Sequence, residues 1–104
     1  MQINQPTISQ NGLVRPTNVE VNLDRLTDNY RRIAAHVAPA KIMVILKANA
    51  YGHGLVPIAR HAVSLGAAYL GVAVLEEGML LRESGITAPI LVLGGILGNQ
   101  VPLF

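Results

Sequence analysis

The chain has 104 residues, half of them apolar, with only eight basic and six acidic side chains. That length holds one small domain or part of a larger one, and a net charge of +2, with Arg31 and Arg32 as the only adjacent bases, argues against a nucleic-acid surface. No Cys is present, which excludes disulfides and thiolate metal sites and fits a reducing compartment, while a mean hydropathy of +0.42 implies surfaces meant for burial.

The polar start, Met1 to Arg15, lacks the basic and apolar regions of a signal peptide, and residues 1–17 read as a flexible lead-in. Residues 18–38 form a first unit. Asn18 to Leu23 alternates polar and apolar, the pattern of a half-exposed strand. Leu23, Leu26, Tyr30, Ile33 and Val37 then recur at helical spacing, with Asn22 as cap, Asp24 in the first turn and Pro39 as the stop. Arg25, Asp28, Arg31 and Arg32 make its solvated side.

Residues 39–104 form a second unit. Ile42 to Leu46 is an apolar run without alternation, suited to a strand covered on both faces of a parallel sheet. A Gly-containing turn follows, and Leu55, Ile58, Ala62 and Leu65 predict a helix with Pro57 in its first turn and Gly66 past its end. Ala68 to Val74 is the next strand. Leu75 to Ser84 is a helix ended by Gly85, with Ile86 placed for a Schellman contact. From Ser84 to Phe104 no residue is charged, but Gly85, Pro89, Gly94, Gly95, Gly98 and Pro102 interrupt the stretch, so Pro89 to Leu93 reads as a buried strand rather than a membrane span. Gly95 onward reads as a loop.

Strand and helix alternate strictly, which implies parallel strands with right-handed crossovers. The steps from Ile42 to Tyr69 and from Tyr69 to Ile90 are 27 and 21 residues. Units of this size build a (β/α)8 barrel or a doubly wound sheet, and spacing does not choose between them. Three parallel strands close neither.

The segment that carries chemistry is Leu46-Lys47-Ala48-Asn49-Ala50-Tyr51-Gly52-His53-Gly54. Lys47 ends a strand, where parallel α/β folds gather catalytic groups. A stem lying among Ile45 and Leu46 would desolvate the ammonium, and a neutral amine is what attacks a carbonyl to make a Schiff base. The alternative is a lysine that snorkels its charge to water. Tyr51 offers a phenol to a phosphate oxygen, the glycines allow close backbone approach, and the helix beginning near Leu55 would point its first amides at the same place. An aldehyde-reactive amine beside a phosphate anchor is what pyridoxal 5'-phosphate needs. For Tyr51 and His53 alone, an ordinary polar turn explains as much. No third carboxylate or histidine completes a metal set, and Ser64 and Ser84 lack a nucleophile-elbow context.

The run Ile45 to Gly54 resembles the cofactor-attachment motif of alanine racemases, which are fold-type III pyridoxal-phosphate enzymes. Val19 to Leu26 with Asn29-Tyr30 is similar to that family's opening strand and helix. Leu75-Glu76-Glu77 and Leu81 through Gly94 resemble its second helix and third strand. The likeness spans about Arg15 to Gly95 and implies the N-terminal part of a (β/α)8 TIM-type barrel. It implies that Lys47 carries pyridoxal phosphate and acts on one face of the substrate, that Tyr51 binds the phosphate, and that Ile45 and Leu93 form an apolar wall beneath the ring. It further implies a cytoplasmic homodimer that interconverts L- and D-alanine for peptidoglycan precursors, with no membrane or nucleic-acid partner.

The family's second acid/base residue, a tyrosine of the partner subunit, matches nothing in this sequence, nor do its remaining phosphate ligands. A chain of this extent is therefore expected to be an inactive, association-prone fragment. Gly78 stands where the family usually has a better helix former, at a cost of about 1 kcal/mol. Residues 95–104 depart from the family's pattern. Two further readings stay open: a serine or broad-specificity racemase of the same fold, and a non-catalytic pyridoxal-phosphate carrier.

Overall fold

The computed structural model describes residues 2–8 and 14–104, with side chains described from Glu20 onward. Two strands open the chain, β1 (Gln2–Ile8) and β2 (Val14–Asn22), paired antiparallel from Gln2 opposite Asn22 to Ile8 opposite Val14. The sequence reading placed a lead-in over 1–17 and began the strand at Asn18. Where residues 2–8 and 14–17 are described they are strand, and residues 1 and 9–13 of that segment lie outside the described residues. Backbone pairing needs no apolar alternation, so a polar stretch gives little strand signal.

Asn22 then caps α1 (Leu23–Val37), its Oδ1 accepting from the amides of Asp24 at 3.0 Å and Arg25 at 3.1 Å. Of the expected apolar face, Leu23 is buried and Leu26 and Tyr30 pack against the core, but Ile33 and Val37 are exposed. The cause is length. Fifteen helical residues run about 22 Å, whereas the neighbouring strands have only three or four residues. The helix outruns the sheet that could cover it.

The remaining elements are β3 (Met43–Ile45), α2 (Lys47–Tyr51), α3 (Leu55–Ser64), β4 (Tyr69–Val72), α4 (Leu75–Glu83), β5 (Ile90–Val92) and a 3-10 helix over Gly98–Leu103. The three short strands form a parallel sheet in the order β3-β4-β5, with Val44 opposite Leu70 and Leu70 opposite Ile90. Successive residues of a strand face opposite sides. One side carries Val44, Leu46, Leu70, Val72, Ile90 and Val92, which join Leu55, Ile58, Ala59, Ala62 and Leu81 of the helices in a single core. Leu46, Leu70, Leu81 and Val72 are its most enclosed large side chains, and full burial of each contributes about 1.5–3 kcal/mol.

Both helices end as the sequence suggests. Past α4, Gly85 adopts φ +88°, its amide donates to the Arg82 carbonyl, and the Ile86 amide donates to that of Leu81, the two bonds of a Schellman motif. Gly66 and Ala67 repeat the arrangement on Val63 and Ala62 past α3. Ile86 and Ala67 are buried, so each stop also adds to the core.

Two features differ from the sequence reading. The strands were expected to be covered on both faces, yet the side of the sheet away from α3 and α4 leaves Met43, Tyr69 and Leu91 exposed, because three strands do not curl round to cover it. The segment after Gly95, expected as a loop, contains a 3-10 helix. Its start is fixed by the Gln100 side chain, whose Oε1 accepts from the Leu97 amide at 3.0 Å, and by the Gln100 amide on the Leu97 carbonyl at 2.9 Å.

Candidate active site

Parallel strands deliver their carboxyl ends to one rim, and here that rim collects Lys47 after β3, Ala73 and Val74 after β4, and Leu93 and Gly94 after β5. The ladder continues to its edge. The Leu46 amide donates to the Gly71 carbonyl at 2.7 Å, and the Leu93 amide to that of Val72 at 2.7 Å. The Gly94 amide reaches the Ala73 carbonyl at 2.8 Å. A Cβ on Gly94 would lie 2.4 Å from that same oxygen, so only glycine brings β5's exit this close to β4's.

Lys47 follows buried Leu46 directly and is itself exposed. The enclosing apolar surroundings expected of its stem are not supplied by the described residues. Leu46 turns toward the helices, and among the described residues Met43, Tyr69 and Leu91 stay exposed on the opposite side of the sheet. Ile45, half-buried, lies on that opposite side, where its Cδ1 would be 2.6 Å from a Cβ built on Gly71; its side chain folds over this glycine of the central strand. Leu93 sits one residue past β5 and is 48% exposed, on the same side as Ile45 by strand alternation.

The chain leaves the strand through an unusual turn. Ala48, Asn49, Ala50 and Tyr51 all have φ between 54° and 56°, so α2 is one turn of left-handed helix without a glycine. For L-residues this conformation costs about 1–2 kcal/mol each, with asparagine the type that best tolerates it. The sequence suggests only a Gly-containing turn. Gly52 and Gly54, with φ of 88° and 101°, complete it rather than form it.

Local hydrogen bonds hold the turn. The Ala50 amide donates to the Leu46 carbonyl at 2.8 Å, the amides of Gly52 and Gly54 to the Asn49 carbonyl at 3.1 and 3.0 Å, and the His53 amide to the Ala50 carbonyl at 3.0 Å. His53 Nδ1 lies 2.9 Å from that same Ala50 carbonyl, so His53 serves the turn. Asn49 Oδ1 accepts from the Leu55 amide at 2.8 Å, which ties the turn to the first residue of α3. Across the rim, Glu77 Oε1 accepts from the amides of Ala73 at 2.9 Å and Val74 at 3.3 Å, and its Oε2 lies 3.5 Å from the Asn49 amide. Sequence reasoning missed both roles. An asparagine between two alanines just before a glycine-rich turn, and a glutamate three residues after the capping residue Val74, were the available signals.

The same bonds correct the expectation for α3. The Leu55 amide belongs to Asn49, Pro57 has no N–H, and the Ile58 amide donates to the Gly54 carbonyl. Three of the helix's first four positions are therefore closed to an anion. Tyr51, 59% exposed, is left as the phosphate-binding candidate that the turn presents. An amine and a phenol, the first and last residues of one turn at a strand exit, suit an aldehyde bearing a phosphate. Among the described residues, no group of three or more His, Cys, Asp or Glu could hold a metal ion, and no helix is long and apolar enough to cross a membrane.

A parallel α/β segment with a lysine at the exit of its first parallel strand suits the N-terminal part of a (β/α)8 barrel as well as a doubly wound sheet, and its solved relatives decide for the barrel. The family model for the alanine racemase N-terminal domain matches residues 21–104, and the chain belongs to that family. It is 54% identical over 83 residues to alanine racemase 2 of Bacillus subtilis, covering 79% of this chain and 21% of that one. The solved alanine racemase of Bacillus anthracis with bound L-Ala-P superposes with a TM-score of 0.74 at 43% identity, over 77% of this chain and 21% of that one. A histidine racemase from Leuconostoc mesenteroides gives 0.73 at 34% identity, over 78% and 22%. The chain thus spans about a fifth of the length of these relatives.

Proposed function

We propose that this chain is the lysine-bearing first part of a pyridoxal-phosphate-dependent alanine racemase. The observation that carries the reading is Lys47 at the exit of β3, followed by a left-handed turn that ends on exposed Tyr51, in a chain of the alanine racemase N-terminal domain family. When bound, pyridoxal phosphate supplies an electron sink that lets a proton leave the amino acid's Cα. Lys47 Nζ would hold it and would take or give the Cα proton on one face. Tyr51 donates its phenol to the phosphate. Ile45 and Leu93, both on the side of the sheet away from α3 and α4, would give the cofactor an apolar wall. Residues 39–104 are on this reading the start of the cofactor-binding barrel. The cytoplasmic homodimer and the supply of D-alanine to peptidoglycan rest on family resemblance alone.

The test is the stereochemical conversion of L-alanine and L-serine by the full-length protein of which this chain is the first part, with pyridoxal phosphate added. The expected outcome is D-alanine formation that disappears in Lys47→Ala. Faster formation of D-serine would move the reading to a serine or broad-specificity racemase. Bound pyridoxal phosphate without any conversion would favour a carrier.

A further inference from the structure

Asn49 does two things that no neighbour can replace. It occupies the left-handed region at φ 56°, and its Oδ1 takes the Leu55 amide at 2.8 Å, six residues ahead. Its carbonyl also receives the amides of Gly52 and Gly54, and its own amide faces Glu77 Oε2 at 3.5 Å. One residue, two places after Lys47 and two before Tyr51, is thereby fastened forward to α3 and sideways to Glu77 of α4. The alanines on either side carry no polar atom beyond the backbone, so between them it is Asn49 whose side chain ties the turn to the Leu55 amide of α3.

A left-handed turn of non-glycine residues is a high-energy conformation that persists only where its surroundings impose it. Released from α3, the turn would relax toward the ordinary right-handed or extended regions, and the directions of the residues flanking Asn49 would change with it. We infer that Asn49 is a positioning residue that sets Lys47 and Tyr51 for the phosphate-bearing aldehyde. This rests on the cofactor reading above and adds to it a residue that acts through the turn it holds.

The chain offers an internal control, because its only lysines are Lys41 and Lys47, both exposed. The full chain is incubated with pyridoxal 5'-phosphate and reduced with borohydride, and the adducts on the two lysines are compared by peptide mass. In parallel, hydrogen exchange follows the Leu55 amide without any cofactor. Three variants separate the two contributions. Asn49→Asp keeps an acceptor oxygen, Asn49→Gly keeps the backbone freedom without the acceptor, and Asn49→Leu loses both.

The expected result is a Lys47-to-Lys41 ratio that falls about threefold to tenfold in Asn49→Gly and further in Asn49→Leu, the size of one hydrogen bond's effect. Leu55 exchange accelerates in both, and Asn49→Asp stays near the original in both measurements. Unchanged ratios in Asn49→Gly and Asn49→Leu would overturn the positioning role even if Leu55 exchange accelerates. Unchanged exchange would overturn the tie itself. No preference for Lys47 in the unaltered chain, with Leu55 protected, would overturn the cofactor reading and with it the purpose assigned to Asn49.

Discussion

The Leu46 amide donates to the Gly71 carbonyl at 2.7 Å, so the residue before Lys47 is still bound to the central strand when the chain turns away. Leu46 is also 1% exposed and packs among the helices. Its side chain and its backbone therefore both fix the point from which the lysine departs. Replacing Leu46 with Ala removes the side-chain half of that anchor and leaves a cavity in a small core. The expected loss is about 2–5 kcal/mol, read as a lower denaturant midpoint, together with weaker protection of the amides around Lys47.

Gly94 and Gly98 lie four residues apart and should respond differently to alanine. A Cβ on Gly94 would meet the Ala73 carbonyl oxygen at 2.4 Å, and both partners are backbone. Gly94→Ala must push the exits of β4 and β5 apart, at about 1–3 kcal/mol. A Cβ on Gly98 meets nothing within 4 Å, so Gly98→Ala should leave the unfolding midpoint nearly unchanged. Equal effects at the two positions would contradict the close approach.

Gly78 is the reverse case. It is buried within α4, yet a Cβ there would have as its nearest neighbour Ile90 Cγ2 at 3.6 Å, an ordinary contact. Gly78→Ala should therefore recover the helix propensity that glycine forfeits, raising stability by about 1 kcal/mol. Thermal denaturation of the two chains under identical conditions measures it, and a lower midpoint would mean that the gap against β5 is narrower than it looks.

The sequence was most readable where one local rule decides the outcome. Asn22 capped its helix, Gly66 and Gly85 stopped theirs, and the apolar runs around Val44, Leu70 and Leu91 became strands, because cap chemistry, positive φ and burial each act within a few residues. It was less readable where the outcome depends on elements far along the chain. The periodicity of α1 marks Ile33 and Val37 as apolar face, but only the length of the sheet decides whether that face is covered. The pairing of β1 with β2 rests on backbone bonds that leave little trace in side-chain pattern. In the site itself, the motif made Lys47 and Tyr51 visible, while the left-handed turn between them was not. Four consecutive non-glycine residues at positive φ contradict local preference, and the contacts that impose them come from Asn49, Leu55 and Glu77 across three elements.

The central claim is that Lys47 attaches pyridoxal phosphate, and borohydride trapping on the chain tests it most directly. After incubation with pyridoxal 5'-phosphate and reduction, peptide mass should place the reduced adduct on the peptide that carries Lys47, in clear excess over Lys41, and Lys47→Ala should abolish that adduct without creating a new one. Equal labelling of Lys41 and Lys47, or an adduct that survives Lys47→Ala unchanged, would contradict the account.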